Sequence, residues 1–436
     1  MKYPRYRAYK DSGVEWIGEI PEDWDLIPLK RTITIMKGKV PKKVETDVPE
    51  ANDYLPYLSM EFLRGEPSKQ WARVDNSTIV VDKSETLLLW DGSNAGEFIK
   101  SRRGILSSTV ALIHSSKVNN NFLFHFCKAA EHKLKELTVG MGIPHVDGDL
   151  LKSFIIPFPS DKEQVSIGKF LDCKMTIIDN VVSKLQNMIN MLKEKRQAII
   201  TKAVTKGLDP NVSMKDSGVE WIGEIPEHWN IQKLKRIFQV LNGSTPKSDN
   251  PLFWNGNIIW VTPEDLSLTV SSVICKSSRQ ITAEGYDSCG TNLVPNGSII
   301  VSTRAPIGYV KIAGVELCTN QGCRSLVKKT VTNEKYLFYY LSSFGSVLNS
   351  LGQGSTFAEL SSENLKMFQT PIPPIVEQIT ITRFLASETS KIDGLISKHL
   401  KLIDLLKEYK TSLITQAVTG KIDVRGIAIS TDSNSA

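Results

Sequence analysis

The chain is poor in the features that mark secreted, membrane or metal-binding proteins. Its six cysteines include no CxxC pair and no histidine at metal-ligand spacing, so neither a disulfide framework nor a metal site is predicted. No stretch approaches the roughly 20 apolar residues of a membrane span, and the polar start MKYPRYRAYKDSG lacks the apolar core of a signal peptide. We therefore expect a cytoplasmic protein.

The motifs of DNA-modifying enzymes are also missing from the sequence. There is no GxxxxGK[ST] phosphate loop and no [DNS]PP[YF] tetrapeptide of the kind that holds a flipped base. Pro373 and Pro374 are followed by Ile375 rather than by an aromatic residue. Carboxylate groupings such as Asp147 and Asp149 near His145 arise often by chance. We expect no catalytic residue and no cofactor in this chain.

Size and composition indicate a globular protein with more than one core. At 436 residues the chain exceeds what one hydrophobic core usually supports, and 41% hydrophobic residues allow sizeable cores. Lysine and arginine exceed aspartate and glutamate by 53 to 47, giving a formal charge of +6. This excess alone is a weak sign of nucleic-acid binding, so the positions of the basic residues matter more.

An internal repeat organises the sequence. KDSGVEWIGEIPEDWDLIPLKR at 10–31 returns as KDSGVEWIGEIPEHWNIQKLKR at 215–236, with 17 of 22 positions identical. The chain is therefore a tandem duplication of one half. Further repeated pairs are FIIPFPSDKEQ at 154–164 with FQTPIPPIVEQ at 368–378, and ITKAVTKGLD at 200–209 with ITQAVTGKID at 414–423.

The middles of the two halves differ from each other. Both contain short β-rich runs punctuated by turn residues, which predict a mixed α+β globule with a curved sheet. The two halves are alike at their ends and differ in their middle segments. This pattern indicates a shared scaffold whose two globules each recognise something different. The β-rich runs are STIVV at 77–81, TLLLW at 86–90, STVALI at 108–113, GSIIVS at 297–302 and GYVKIA at 308–313.

A long helical pattern follows the proline-rich junction of each half. Apolar residues alternate steps of four and three, the a/d rhythm of a coiled-coil seam. Each seam covers roughly 30 residues, about 45 Å of helix. We predict that the two helices pair antiparallel, the alternative being helices folded back on their own domains. The seam residues are Ile178, Val182, Leu185, Ile189, Leu192 and Ile199 in the first half, and Ile392, Ile396, Ile403, Leu406 and Leu413 in the second.

Basic, hydroxyl and amide side chains in the middles are candidate DNA contacts. Lysines and hydroxyls suit phosphates, whereas arginine suits guanine and asparagine or glutamine suits adenine. Solvated loops and simple helix C-caps are the alternatives. The first-half candidates are Lys37, Lys39, Lys42, Lys43, Ser93, Asn94, Arg102 and Arg103; the second-half candidates are Asn242, Ser244, Thr245, Lys247, Ser302, Arg304, Asn320, Gln321, Arg324, Gln353, Ser355 and Thr356.

Taken together, these motifs resemble the specificity subunit of a type I restriction-modification system. The resemblance covers essentially the whole chain: the two SGVEWIGEIPE openings, the Pro-to-Glu-Gln signatures ending at Gln164 and Gln378, and the helices ending in KAVTKGLD and QAVTGKID. The first junction, FPSDKEQ, departs from the double-proline form at Pro373 and Pro374. That difference puts only the local turn in doubt.

The resemblance implies a non-catalytic subunit that reads a bipartite double-stranded DNA target with two target-recognition domains. It implies two modification subunits, which bind S-adenosylmethionine and methylate adenine, and restriction subunits with translocase and nuclease activity that use ATP and Mg²⁺. The alternatives are a specificity module of a methylase-only system and a scaffold that does not bind DNA.

We therefore predict that the chain consists of consecutive segments. Each target-recognition domain precedes its own spacer helix, and a short tail follows the second helix. The predicted borders are 1–158 and 210–372 for the two target-recognition domains, 159–209 and 373–423 for the two spacer helices, and 424–436 for a disordered tail.

Overall fold

A computed structural model describes residues 3–51, 53–136, 144–353 and 358–427. The chain divides into two compact units, one formed by Met1–Gln186 with Leu400–Ala436 and the other by Asn187–His399. Each unit therefore contains the first part of one long helix and the last part of the other. Among the described residues, no helix combines the length and apolar character that crossing a membrane requires.

The first unit is built around a four-stranded antiparallel sheet in the order β10-β9-β12-β4. Its elements are β1 (Tyr9–Asp11), β2 (Glu19–Pro21), β3 (Asp25–Pro28), β4 (Thr34–Lys37), β5 (Val44–Glu45), β6 (Tyr54–Pro56), α1 (Met60–Leu63), β7 (Trp71–Arg73), β8 (Val80–Val81), β9 (Thr86–Leu89), β10 (Phe98–Lys100), β11 (Gly104–Ile105), β12 (Val110–His114), α2 (Asn120–Glu136), α3 (Gly148–Ser153), β13 (Ile155–Phe158) and the first part of α4 (Asp161–Lys206).

The second unit is built around a five-stranded sheet in the order β17-β24-β21-β22-β19. Its elements are β14 (Met214–Asp216), β15 (Glu224–Pro226), β16 (Asn230–Lys233), α5 (Leu234–Ile237), β17 (Phe238–Asn242), β18 (Trp254–Val261), α6 (Pro263–Leu268), β19 (Val273–Ile274), β20 (Arg279–Ile281), α7 (Ala283–Asp287), β21 (Ile299–Ser302), β22 (Val310–Ala313), β23 (Cys318–Thr319), β24 (Cys323–Lys328), α8 (Glu334–Ser343), α9 (Gly345–Ser350), α10 (Ser362–Met367), β25 (Gln369–Ile372) and the first part of α11 (Ile375–Val418).

The sheets carry the β-rich runs that the sequence predicts, and each packs against helices. In the first unit Phe122 and Phe126 of α2 share a core with Phe170 of α4. In the second unit Tyr336 and Tyr340 of α8 occupy the equivalent position. The mixed α+β prediction for both halves is therefore confirmed.

The repeated openings pack against the ends of the long helices. In the first unit Trp24 is fully buried with Ala417 and Val418. In the second unit Trp229 is buried in the same way with Ala203 and Val204. The repetition of SGVEWIGEIPE thus reflects one packing motif that is formed once in each unit.

Within each unit the helix segments run antiparallel. In the first unit Lys410 contacts Asp179 at 2.6 Å and Arg425 lies 3.8 Å from Glu163, so residue numbers rise along one segment as they fall along the other. In the second unit Arg196 forms a bidentate pair with Asp393 at 2.9 and 3.2 Å, and Gly207, just beyond the end of α4, lies beside Glu377 near the start of α11. The antiparallel prediction is confirmed for both units.

Burial along the helices follows the predicted seam. All eleven seam residues are buried or half-buried, whereas their neighbours Ile177, Met188, Met191, Leu402 and Leu405 are exposed. Arg196 and Lys410 continue the four-and-three spacing of the apolar seam residues, and they form the ion pairs with Asp393 and Asp179. These pairs favour the register that the apolar residues set.

The long helices begin and end close to the predicted spacer borders. The segment predicted as a disordered tail, however, starts with ordered residues. Val424 is 2% exposed and joins the core of the first unit, and Ile427 packs against that core. The Arg425 guanidinium donates to Asp423 at 2.7 Å. The tail prediction is therefore wrong for 424–427, and 428–436 lie outside the described residues.

Candidate DNA-recognition surface

In the second unit three predicted segments meet at one edge of the sheet. Strand β17 ends at Asn242, which pairs with Arg324 near the start of β24, and Val301 near the end of β21 pairs with the same residue. Because these strands are antiparallel, the loops after β17 and β21 and the loop before β24 leave the sheet at the same end.

Hydrogen bonds join these loops to one another. The Ser244 backbone N–H donates to the Thr319 carbonyl at 3.0 Å, and the Thr245 hydroxyl donates to Gln321. The Asn242 side-chain oxygen accepts from Ser362 at 2.8 Å. The amide and hydroxyl side chains predicted from separate segments thus form one connected surface, which we call the second reading edge.

Glycine allows the close approach at this edge. A Cβ atom at Gly243 would lie well under 3.0 Å from the carbonyl oxygens of Thr319 and Asn320. In the first unit a Cβ atom at Gly38 would meet the carbonyl oxygens of Leu106 and Ser107 in the same way. The loops after β4 and β17 can therefore lie directly against the opposite loops, because each has a glycine at the point of contact.

A charged cluster supports the second reading edge. Glu359 accepts from Arg304 at 3.0 Å and from Arg324 at 3.4 Å. Arg324 also donates to Ser362 and to the Gln321 carbonyl, each at 2.7 Å, and its side chain is 11% exposed. Burial lowers the pKa of Arg324. Its donors are committed to the protein, so Arg324 supports the edge and does not present a free guanidinium to DNA.

Ser302 needs a correction. It is fully buried, its hydroxyl donates to the Pro306 carbonyl at 2.7 Å and accepts from the Tyr309 N–H at 2.9 Å. A side chain with no exposed surface does not contact DNA, so Ser302 shapes the turn that places Arg304. All four residues of β21 are buried, since the strand lies inside the sheet between β24 and β22, and composition alone does not reveal that.

The other second-half candidates lie on or next to the second reading edge. Asn242, Lys247, Arg304 and Gln321 are exposed, and Asn320 is half-buried. Gln353 is exposed and pairs through its backbone with Glu359 at 3.0 Å. Ser355 and Thr356 lie outside the described residues.

The first unit has an equivalent edge with different side chains, which we call the first reading edge. Lys37, at the end of β4, pairs with Ala111 in β12, and Leu89, at the end of β9, pairs with Val110. The Lys37 ammonium contacts Asp91 at 2.8 Å and lies 5.8 Å from the centre of the Trp90 ring.

The remaining candidates of this edge are in exposed loops. Ser93 and Asn94 lie in the loop between β9 and β10. Lys39, Lys42 and Lys43 follow β4, and Lys43 contacts Glu45 at 2.6 Å. These residues stay predicted DNA contacts.

Arg102 and Arg103 are placed elsewhere. Strand β10 ends at Lys100, which pairs with Thr86 at the opposite end of β9 from Leu89, and the two arginines follow it. The Arg102 guanidinium lies 4.0 Å from the centre of the Phe62 ring and donates to the carbonyls of Phe62 and Glu66 at 3.0 and 3.1 Å. The structure therefore does not bring them to the first reading edge.

Several residues of the two edges were not predicted from the sequence. Asp91 and Glu359 form ion pairs with the predicted DNA contacts Lys37 and Arg304, respectively. Asn292 donates to the Asn242 carbonyl at 3.1 Å. Asp91 and Gly92 form an Asp-Gly pair after a predicted β-rich run, which is a typical turn sequence. No sequence signal pointed to Glu359 or Asn292, because their role comes from contacts between distant segments.

Comparison with known proteins identifies the family. The family model described as "Type I restriction modification DNA specificity domain" matches residues 21–190 and 226–403. The chain belongs to this family. The two matches correspond to the two copies of the repeat. As a specificity subunit the chain recognises the DNA target and is not the catalytic subunit.

Two relatives of this specificity subunit match nearly the whole chain and less than half of it, respectively. The type I restriction enzyme MjaVIII specificity subunit of Methanocaldococcus jannaschii is 30% identical over 437 residues, covering 94% of this chain and 95% of that protein. The MjaIX specificity subunit of the same organism is 36% identical over 194 residues, covering 44% of each chain.

Solved structures share the fold. A chain from the study "Structural basis underlying complex assembly and conformational transition of the type I R-M system" matches with a TM-score of 0.71 at 16% identity, covering 92% of this chain and 98% of that one. The HsdS subunit from Thermoanaerobacter tengcongensis matches with a TM-score of 0.52, also at 16% identity, covering 94% and 99%.

Proposed function

We propose that each reading edge of this specificity subunit reads one half of a bipartite DNA target. One observation carries the proposal: the two edges share a scaffold and differ in side chains. The glycine approach recurs at Gly38 and Gly243, whereas the charges beside it are unlike. After β9, Asp91 forms an ion pair with Lys37. After β21, Arg304 forms an ion pair with Glu359.

This difference supports two unlike half-sites. An acidic side chain accepts hydrogen bonds, as cytosine N4 would require, whereas amides and guanidinium groups suit purines. Ser93 and Asn94 flank the first pair, and Thr245 and Gln321 flank the second. The half-site that each edge reads therefore depends on its own loops, while the phosphate contacts of exposed lysines position the domain without selecting sequence.

Partner subunits supply the chemistry in this proposal. The specificity subunit assembles with other subunits of its system and with DNA. We propose two modification subunits, which bind S-adenosylmethionine and methylate adenine, and restriction subunits that use ATP and Mg²⁺. The repeated openings and helix ends, which are alike in both halves, suit two copies of one partner. The complex acts on host and invading DNA in the cytoplasm.

Methylome sequencing tests the proposal directly. A strain expresses this chain with its modification subunit, and the methylated motif is read from the genome. The double variant T245A/Q321A should change only one half of the motif, and S93A/N94A should change only the other. If either variant changed both halves, or if both left the motif intact with full methylation, independent reading by the two edges would be wrong.

A further inference from the structure

A small lobe of the second unit holds an arginine that the sequence argument did not single out. Strand β20 starts at Arg279 and pairs with β18, so that Arg279 lies opposite Trp260. The Arg279 guanidinium lies 3.5 Å from the centre of the Trp254 ring and 5.8 Å from that of Trp260. Both rings are buried, with 7% and 4% exposure. The cation is therefore held on a rigid aromatic support.

The same two tryptophans hold a loop of the second reading edge. The indole N–H of Trp254 donates to the Lys247 carbonyl at 3.2 Å, and that of Trp260 donates to the Ser244 carbonyl at 2.9 Å. The two rings contact each other at 5.1 Å between centroids. Arg279 is thus fixed against the side chains that fix this loop.

The donors of Arg279 are unused. Arg304 and Arg324 share Glu359, as described above, whereas the Arg279 guanidinium has no hydrogen-bond or ion-pair partner within the described ranges. Arg279 is also exposed. A stacked guanidinium cannot rotate freely, so its N–H groups are presented in a fixed plane at little further entropic cost.

We propose that Arg279 reads a guanine of the second half-site. Two parallel N–H groups of a guanidinium match the O6 and N7 acceptors that guanine shows in the major groove, and this pairing needs a fixed plane more than it needs charge. Trp254 acts as a positioning residue. The proposal rests on the proposed function, since it assigns Arg279 to the second reading edge.

The first half contains an informative contrast. Arg102 also stacks on an aromatic ring, Phe62, but its Nη1 donates to two backbone carbonyls. The stacked arginine of the first half therefore serves to hold its loop. Stacking on an aromatic ring therefore does not by itself identify a base reader, because a stacked guanidinium can also hold a loop.

The experiment uses the complex of this chain with its modification subunit. The variants are R279Q and R279K, and R236Q is the control because Arg236 is exposed on α5, at the opposite end of β17 from Asn242. The readouts are the methylated motif and the affinity for duplexes that carry either the motif or one substituted base pair.

Both Arg279 variants should relax one guanine position of the second half-site and leave the first half-site unchanged. Discrimination at that position should fall by roughly 5- to 150-fold, the range that one bidentate pair provides. R236Q should keep the full motif. Thermal melting of each complex separates this result from a loss of folding.

Two outcomes would overturn the proposal. If R279K kept the motif and R279Q weakened binding to all duplexes alike, with a salt slope lower by about 1, Arg279 would be a phosphate contact. If both variants kept motif and affinity, Arg279 would only stabilise the lobe. T245A/Q321A tells these failures from a failure of the reading edge itself, because that variant should still alter the second half-site.

Discussion

Gln378 accepts a hydrogen bond from the backbone N–H of Asn333 at 2.9 Å, which ties the first turn of α11 to the start of α8. Its side-chain N–H also donates to the Pro373 carbonyl at 2.9 Å, and it is 1% exposed. In the first unit Gln164 makes the same two bonds, to Asn119 at 2.8 Å and to Pro159 at 2.9 Å. The repeated Glu-Gln signature is therefore a structural joint.

Replacing Gln378 should destabilise the second unit. Gln378→Leu leaves the buried Pro373 carbonyl and the half-buried Asn333 N–H unpaired, and an unpaired buried polar group costs about 1–3 kcal/mol. Urea unfolding of the purified chain measures the change. Gln239→Leu, at an exposed position of β17, is the control and should have an effect within about 0.5 kcal/mol. If Gln378→Leu and Gln239→Leu were equally stable, the structural role of Gln378 would be wrong.

Gly243→Ala should disrupt the second reading edge. The added Cβ meets two backbone carbonyls, which cannot move as a flexible side chain could. We expect loss of recognition of the second half-site with methylation lost at the motif, measured by methylome sequencing. Gly394→Ala is the matched control, because a Cβ atom there meets nothing within 4 Å. Since Gly394 lies within α11, alanine there should stabilise the protein by roughly 0.5–1 kcal/mol. Retained recognition in Gly243→Ala would show that the loops tolerate separation.

The stability of the first unit should depend on pH through His125. This residue is 2% exposed, and its Nε2 lies 2.9 Å from Asp172, which also contacts Lys100 at 2.8 Å. Burial lowers the pKa of His125, although hydrogen bonding to Asp172 opposes the shift. The unfolded chain therefore binds the proton more readily, so the free energy of unfolding should fall as pH drops below about 6.5.

Unfolding of His125→Gln between about pH 7.5 and 5 checks this expectation. The variant should lose the part of the pH dependence that comes from His125. His132→Gln, at an exposed position of the same helix, should retain it. The same slope in wild type and His125→Gln would assign the dependence to other groups.

The helices should act as spacers between the two half-sites. Inserting one heptad into α4 after Gln186 and one into α11 after His399, at the borders of the compact units, preserves the seam pattern. Seven residues lengthen a helix by about 10 Å, equal to roughly three base pairs at about 3.4 Å each. The methylated motif should keep both half-sites and gain about three unread base pairs. An unchanged gap with full methylation would rule out the spacer role, and a heptad in α4 alone serves as the mismatched control.

Periodic and repeated features could be predicted from the sequence, whereas the hydrogen-bond partners of individual side chains could not. The seam from Ile178 to Ile199 follows from spacing, and β12 falls largely within the predicted β-rich run at 108–113. Arg324 and Arg102 looked like readers because their residue type suits bases, but Arg324 donates to the protein through Nε, Nη1 and Nη2, and Arg102 donates through Nη1. Arg279 was overlooked because its support, Trp254, lies 25 positions away along the chain. Composition indicates what a side chain can bind, and only tertiary contacts show whether it is free to do so.

The packing of the repeated openings has a consequence for gene order. Trp229 follows Ala203 and Val204 closely along the chain, whereas Trp24 reaches Ala417 and Val418 from almost 400 positions away, and both form the same kind of junction. The Asp423 N–H even donates to the Pro4 carbonyl at 2.9 Å. Covalent linkage is therefore not what makes the junction. A rearranged gene that encodes the second half before the first would preserve both junctions, with the peptide connection moved from one to the other.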